Sequence, residues 1–310
     1  MNVKKIIALL FLPLFFLAAG CGGGKQELST LKIGLMPDTD SVPFIIAQEK
    51  GYFKEEGLNV ELHPFKSAMD RDSALQSGNL DGAVSDMLAV AFAKTGGFDV
   101  KVTSMTDGSY KLIAAPGMKP PTVKALAGRE VAVSRNTIIE YVTDHILESN
   151  AMTGDDIAKV IIPQIPTRLE LLQSGNLAAA TLPEPMASIA VHNGCQFITG
   201  SDELGINPGV ILFTGKSTKE KEAEIKAMYR AYNKAVAYLN SAARSEYIDL
   251  VVEKGGFPPA AKDALTLPVY HEAGLPKQSD VADCMAWLKR KALIEETYDY
   301  ADLVVDFLRP

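Results

Sequence analysis

The sequence LQSGNL stands at residues 75–80 and again at residues 172–177, an offset of 97 positions. The likeness extends to RDSALQSGNLDGA at 71–83 and RLELLQSGNLAAA at 168–180. In each copy, we expect a helix that turns its leucine inward and ends at Gly78 or Gly175. Glycine suits that position because it tolerates the left-handed conformation that follows many helices. A short buried strand of small residues comes next. Two copies of one αβ unit predict two similar lobes.

Strands and helices alternate around both copies. A helix is predicted from Ser41, as N-cap, to Gly51. Another is predicted over 137–150, and the tail carries amphipathic stretches at 219–243 and 280–293. The predicted strands are 31–35, 59–62, 100–105, 130–133 and 159–162. This order predicts parallel sheets with helices on both faces.

Two extended segments are predicted to connect the lobes. The first, 111–115, ends at Pro116-Gly117, and the second covers 208–213. We therefore expect a discontinuous lobe one, 31–115 with 210–310, and a lobe two, 116–209, inserted into it. The resulting fold class is two α/β lobes that are joined by two strands and separated by a cleft.

The first twenty residues have the features of a secretory signal. Lys4 and Lys5 precede an uncharged run over 6–19, which is shorter than the roughly twenty apolar residues that a membrane span needs. The sequence LAAGC at 17–21 resembles a bacterial lipobox with Cys21 as the lipidated residue. Ordinary signal cleavage beside an incidental cysteine is the alternative. Residues 21–30 are predicted to form a flexible tether, so we expect an extracytoplasmic protein that is attached to a membrane through lipid.

Composition excludes several classes of protein. The chain has 310 residues, of which 47% are hydrophobic and 22% charged, which is typical of globular proteins. Beyond the first twenty residues there are 29 basic and 38 acidic residues. Such an acidic chain is a poor candidate for nucleic acid or for an anionic membrane surface. Three cysteines cannot form a disulfide framework, and we expect Cys195 and Cys284 to be buried apolar residues.

A family resemblance joins these observations. Residues 47–61, AQEKGYFKEEGLNVE, resemble the opening of the nitrate, sulfonate, taurine and thiamine-precursor family of solute-binding proteins. The sequences QSGNL at 173–177 and LPEP at 182–185 resemble its second-lobe signature, and 124–134 is similar to the start of its second lobe. The resemblance covers about 31–215. It implies a type II periplasmic-binding fold and a receptor that delivers its ligand to the transmembrane subunits of an ABC importer.

The turn after strand 130–133 departs from the family's pattern. The family often has Gly-Ser or Gly-Thr there, whereas this chain has Ser134, Arg135, Asn136 and Thr137. Recognition of a phosphate-like or sulfonate-like group at this turn is therefore less expected.

The candidate ligand site lies at four strand-to-helix junctions, 36–44, 85–87, 134–138 and 182–185. Ligands of open α/β sheets bind outside the carboxyl ends of strands, where helix N-termini present free amides. The candidate ligand-binding residues are Asp38, Asp40, Phe44, Asp86, Tyr110, Ser134, Arg135, Asn136, Thr137 and Glu184.

Several of these residues have an alternative structural role. Asp40 is expected mainly in a turn near the Ser41 cap, and Asp86 is as readily a helix cap as a ligand contact. Phe44 lines the pocket or staples its helix, and Arg135 pairs with an anionic ligand or with an acid such as Glu140. Glu184, between two prolines, is a ligand contact or a solvated acid.

The sequence contains no motif of an enzyme, a metal site or a phosphate loop, and its four histidines stand apart. We expect a monomeric receptor without a cofactor. Four carboxylates against Arg135 alone favour a nitrogen-containing organic ligand, such as a thiamine-type pyrimidine, over an oxyanion. A sulfonate or nitrate receptor, a sensor lipoprotein and a lyase of the same fold are the alternatives.

Overall fold

The computed structural model describes residues 28–308. The predicted signal segment, Cys21 and most of the tether lie outside the described residues. Among the described helices, none combines the length and hydrophobicity that a membrane crossing requires.

The secondary structure follows the predicted alternation. The strands are β1 Leu31–Leu35, β2 Val60–Pro64, β3 Gly82–Asp86, β4 Val100–Met105, β5 Tyr110–Ala114, β6 Glu130–Val133, β7 Ala158–Ile161, β8 Ala179–Pro183, β9 Gln196–Gly200 and β10 Gly209–Thr214. The helices are α1 Val42–Glu49, α2 Tyr52–Glu55, α3 Ala68–Gln76, α4 Met87–Thr95, α5 Ile138–Ser149, α6 Ile165–Gln173, α7 Met186–His192, α8 Ser201–Leu204, α9 Gly215–Glu220, α10 Glu222–Ser241, α11 Arg244–Lys254, α12 Ala261–Ala264, α13 Gln278–Arg290 and α14 Tyr300–Leu303. Short 3-10 helices cover Thr39–Ser41, Val123–Leu126 and Gly154–Asp156.

Two five-stranded sheets have equivalent topology. The first has the order β2-β1-β3-β10-β4 and the second the order β7-β6-β8-β5-β9. Each sheet with its helices forms one lobe, as in the type II periplasmic-binding fold. Helices α3 and α6, and strands β3 and β8, coincide at the offset of 97 residues, which confirms the αβ unit that the repeat predicts.

The sheets are mixed rather than purely parallel, which corrects the prediction. Strand β10 is antiparallel to β3 and β4, and β5 is antiparallel to β8 and β9. The chain enters each of these two strands from the other lobe. Both strands therefore run antiparallel to the neighbouring strands of the βαβ units. Residues 110–114 were expected to complete lobe one, but they pair within the second sheet.

The tail packs mainly on the first lobe and contacts both. Helix α10 packs against α1 and α2, and α13 packs against α4. Helix α12 contacts α7 of the second lobe. The amphipathic stretch predicted over 219–243 is divided into α9 and α10 near Lys221, whose ammonium is 2.8 Å from Asp81 Oδ2. The C-terminal helices therefore pack on helices of both lobes.

Candidate functional site

One cavity lies between the lobes at the carboxyl ends of their strands. Its space not occupied by atoms is about 440 Å³, including the open mouth. Each of the four predicted junctions contributes to its walls. The lining residues are Met36, Asp38, Asp40, Ala68, Arg71, Val84, Ser85, Asp86, Tyr110, Ser134, Thr137, Ile138, Ile139, Pro163, Ile165, Arg168 and Pro183. The cavity is therefore where a small molecule would contact both lobes.

Asp38, rather than Ser41, caps the first turn after β1. Its Oδ1 accepts hydrogen bonds from the Ser41 amide and hydroxyl, both at 3.3 Å. Ser41 has helical backbone angles and makes no capping bond of its own. Burial, together with the charge of Asp40, raises the pKa of Asp38 to about 8. Asp38 is thus a buried acid on the cavity wall that titrates near neutral pH.

Asp40 is a contact between the lobes, not a turn residue alone. Its Oδ2 accepts a 3.0 Å hydrogen bond from the hydroxyl of Tyr110, which begins β5 of the second sheet. Burial raises the pKa of Asp40 to about 6. Two backbone bonds also cross the cleft, from Thr39 N to Glu184 O at 2.9 Å and from Ile165 N to Lys66 O at 3.1 Å. The cavity is therefore bounded by direct bonds between the lobes.

Asp86 is both a helix cap and one side of a buried ion pair. Its Oδ1 accepts from Ala89 N at 2.9 Å, and its Oδ2 lies 3.9 Å from Nη2 of Arg71. Burial raises the pKa of Asp86, while Arg71 opposes that rise. Arg71 is 3% exposed and also lies 2.8 Å from Asp72 Oδ1. In the first lobe, a buried cation is thus matched by two carboxylates.

Arg168 is the second buried arginine of the cavity, and the sequence analysis missed both. It is 0% exposed. Its Nε donates to Thr181 O at 3.1 Å and its Nη1 to Ile162 O at 2.7 Å, whereas Nη2 has no hydrogen-bond partner within the described chain. Burial lowers the pKa of Arg168 to about 9. Both arginines begin the repeat and stand four residues before its inward leucine, so helical periodicity indicates their burial.

Polar groups of other junctions complete the lining. Thr137 caps α5: its Oγ1 accepts from Ile139 N at 3.3 Å and donates to Ser134 O at 2.9 Å. Ser134 is buried on the same wall. Ser85 also lines the cavity, and its buried hydroxyl has no partner among residues 28–308. Ser85 therefore remains available to a bound molecule.

Phe44 and Glu184 lie outside the cavity. The Phe44 ring is fully buried against Tyr232, with centroids 5.3 Å apart, because α1 packs on α10. The Glu184 carboxylate accepts from Ser188 N at 3.0 Å and lies 2.6 Å from the ammonium of Lys111. Pro183 faces the cavity instead of Glu184.

Arg135 and Asn136 also do not line the cavity. Arg135 is exposed, and Glu140 pairs with Lys159 at 2.9 Å rather than with Arg135. Asn136 has a positive φ of 57°, and its amide donates to Glu140 Oε2 at 2.8 Å. Arg135 and Asn136 therefore lie away from the cavity, whereas Ser134 and Thr137 of the same turn line it.

Cysteines and histidines do not contribute to the cavity. Cys195 and Cys284 are free and buried, as predicted. Across the described residues 28–308, no cluster of three or more His, Cys, Asp or Glu side chains is placed to hold a metal ion. The chemistry of the cavity lies in its carboxylates, arginines and hydroxyls.

The comparison with protein families gives one match. The NMT1-like family matches residues 24–252, which includes both copies of the repeat. The chain therefore belongs to the NMT1-like family.

Individual relatives are more distant. A nitrate import ATP-binding protein of Synechocystis is 28% identical over 60% of this chain and 31% of its own length. A putative ABC transporter periplasmic binding protein of Brachyspira hyodysenteriae is 22% identical over 66% of this chain and 64% of its length. A shorter match, 33% identical over 82 residues, is to a yeast 4-amino-5-hydroxymethyl-2-methylpyrimidine phosphate synthase. The chain thus matches less than two thirds of the length of these relatives.

Solved structures share the fold. The ligand-binding component of an ABC-type import system from Staphylococcus aureus, solved with zinc bound, has a TM-score of 0.77 and 16% identity, covering 90% of this chain and 97% of its own. The aliphatic sulphonate binding protein of Escherichia coli has a TM-score of 0.74 and 18% identity, covering 89% and 92%. These likenesses confirm the predicted periplasmic-binding architecture of two lobes around a cleft.

Proposed function

We propose that this member of the NMT1-like family is the solute-binding component of an ABC import system. The observation that carries the proposal is the cavity, because all four strand-to-helix junctions of the two lobes contribute to it. Similar chains and structures carry names of import components and solute-binding proteins. A ligand in this cavity contacts both lobes, so it stabilises the arrangement in which they meet.

The transport role implies a place and a partner. We propose that the chain works outside the cytoplasm, anchored through Cys21, and delivers its solute as a monomer to the transmembrane subunits of the importer. A diacyl anchor holds a protein stably at a membrane surface.

The ligand proposed first is a nitrogen-containing organic molecule. Asp38 and Asp40 line the cavity, and carboxylates accept hydrogen bonds from amines. An oxyanion is the second candidate, because the buried Nη2 of Arg168 has no partner in the described chain. Binding rather than catalysis is supported by the names of similar chains and structures, most of which are those of binding proteins.

Purification without denaturation, followed by mass spectrometry of the released small molecules, tests the proposal. We expect a stoichiometric compound that returns unchanged after incubation with the protein. Addition of that compound to ligand-free protein should raise Tm by mass action and reduce the radius of gyration. Conversion of the compound into a product would support an enzyme instead, and binding without any change in dimensions would contradict capture between lobes.

A further inference from the structure

Helix α13 is attached to the first lobe at both of its ends. Before the helix, Gly274 O accepts a 2.7 Å hydrogen bond from the amide of Met105, the last residue of β4. After it, the amide of Val305 donates to Val102 O of the same strand at 2.9 Å. The helix itself packs on α4, which follows β3 of the first sheet. Helix α13 is therefore part of the first lobe and moves with it.

Helix α5, in contrast, belongs to the second lobe. It connects β6 to β7 of the second sheet, and the hydroxyl of Thr143 lies 2.7 Å from that of Thr181 on β8. The start of α5 also lines the cavity, through Thr137, Ile138 and Ile139. A bond between α5 and α13 is therefore a bond between the lobes, and it bears on the position of the second-lobe wall of the cavity.

Side chains of the two helices meet along one face of α5. The contacting residues of α5 are three or four positions apart, so they share that face. They are Glu140, Tyr141, Asp144, His145 and Glu148, and their partners on α13 and its C-cap are Asp283, Trp287, Arg290 and Lys291.

The buried acids of α5 are balanced only when α13 is in place. Glu140 and Asp144 are both buried, and Lys159 of β7 lies 2.9 Å from the first and within ion-pair distance of the second. Lys291 adds its ammonium at 3.4 Å from Glu140 Oε1 and 3.1 Å from Asp144 Oδ2. In residues 28–308, these two lysines are the cations within ion-pair distance of the two acids. The second lobe alone thus has one cation for two buried carboxylates, and the first lobe supplies the other cation.

Two further contacts extend this interface along the helices. The Arg290 guanidinium lies 2.9 Å from Glu148 Oε1, and Asp283 accepts a hydrogen bond from the hydroxyl of Tyr141. Between them is Trp287, the only tryptophan of the chain, which is 0% exposed. Its ring centroid is 5.7 Å from that of Tyr141. Separation of α5 from α13 would therefore uncover Trp287 on one side.

We propose that α13 is a clasp, formed by Asp283, Trp287, Arg290 and Lys291, that holds α5 and the second-lobe wall of the cavity in the arrangement in which the lobes meet. This inference rests on the proposed function and deepens it. The clasp supplies part of the free energy of closure before any solute is bound, so a solute supplies only the remainder. A buried carboxylate that loses a counter-ion on opening opposes that opening.

Acrylamide quenching of Trp287 fluorescence, in the full chain without added solute, tests the clasp. Lys291→Glu places a third carboxylate beside Glu140 and Asp144. Lys289→Glu is the matched control, with the same charge change on the same helix, because the Lys289 ammonium binds Glu295 O within the tail. We expect Lys291→Glu to raise the quenching constant about threefold or more and to increase the radius of gyration, with the control close to the wild type. Equal quenching in the two variants would overturn the proposal.

A charge exchange keeps the test independent of the buried acids. Glu148 and Arg290 are both about half exposed, so their replacement leaves the core intact. Arg290→Glu and Glu148→Arg should each raise the quenching of Trp287, and the two changes together should restore protection towards the wild type. Acrylamide is uncharged, so the exchanged charges do not alter its approach. A double variant that is quenched as strongly as the single variants would show that the charges of α13 do not hold α5.

Failure of the clasp can be told apart from failure of the proposed function. If a retained solute compacts the molecule while Lys291→Glu leaves Trp287 as protected as in the wild type, the clasp is wrong and solute capture stands. If the purified protein retains no small molecule, solute capture loses its support, and the quenching result still decides whether α13 holds α5.

Discussion

The first and second copies of the repeat have the same secondary structure but surround a buried arginine with different groups. In the first, Arg71 lies beside Asp72 and Asp86. In the second, Arg168 donates to backbone carbonyls and has no carboxylate partner in the described chain. The first copy thus places carboxylates beside its buried arginine, whereas the second surrounds its arginine with backbone carbonyls.

Replacement of the two arginines should have the largest effects on stability, and it tests this comparison most strongly. Arg71→Met leaves the buried Asp86 without its counter-ion, so we expect a loss of about 3–5 kcal/mol in the free energy of unfolding. Arg168→Met leaves no acid behind and should cost about 1–3 kcal/mol, from the lost hydrogen bonds. Urea unfolding at pH 7 measures both values. A larger loss for Arg168→Met would contradict the asymmetry.

The pH dependence of Arg71→Met gives a control. Burial already raises the pKa of Asp86, and loss of Arg71 removes a group that opposes the rise. A raised pKa in the folded protein means stability that is present at low pH and lost as pH rises. The deficit of Arg71→Met should therefore shrink as the pH falls. A loss of stability that does not change with pH would mean that lost packing, rather than the unpaired carboxylate of Asp86, destabilises the variant.

Tyr110→Phe should have the next largest effect. It removes the hydroxyl that donates to Asp40 across the cleft. We expect a loss of about 2 kcal/mol at pH 7, since a buried carboxylate loses a donor. Scattering should also show a more open molecule without ligand. Unchanged dimensions and stability would mean that this bond does not connect the lobes in solution.

Asp38→Asn should stabilise the protein without ligand. The pKa of Asp38 is raised to about 8 in the folded protein, so stability falls as the pH rises from the acid's unfolded value through 8. Asparagine removes this penalty, and we expect a gain of about 1 kcal/mol at pH 8 that disappears below pH 4. Thermal denaturation across that range would contradict the account if the variant lost stability at pH 8.

The smallest effect is expected outside the cavity. Asp283 on α13 accepts from Tyr141 and lies 3.0 Å from His145 Nε2, both on α5. Asp283 is about half exposed, so Asp283→Asn should cost under about 1 kcal/mol at pH 7. A hydrogen bond from His145 lowers the pKa of Asp283, so this contribution is lost as the pH falls. A loss of unfolding free energy comparable to that of Arg71→Met would show that a half-exposed ion pair stabilises this protein as much as a buried one.

The sequence predicts the parts of the molecule that repeat. The units at 71–83 and 168–180 give α3 with β3 and α6 with β8, and their junctions lead to the cavity. The two connecting segments were predicted, but local patterns could not show that β5 pairs in the second sheet or that β5 and β10 run antiparallel, because strand pairing depends on long-range contacts.

Side-chain direction was harder to predict than the junctions. Phe44 and Glu184 follow the right strands, yet the α1–α10 contact buries the first and Lys111 with Ser188 binds the second. The sequence places Arg71 and Arg168 at the same spacing from an inward leucine in the two copies, but a charged residue is usually assigned to the surface. The charge balance predicted for the site therefore included Arg135, which is exposed, and left out Arg71 and Arg168, which line the cavity.

A crystal structure with the retained solute tests the central claim most directly. The account predicts that the solute lies in the cavity between the lobes and contacts residues of both, such as Asp38 and Thr137. A solute bound outside this cavity, or one that contacts a single lobe, would contradict the account.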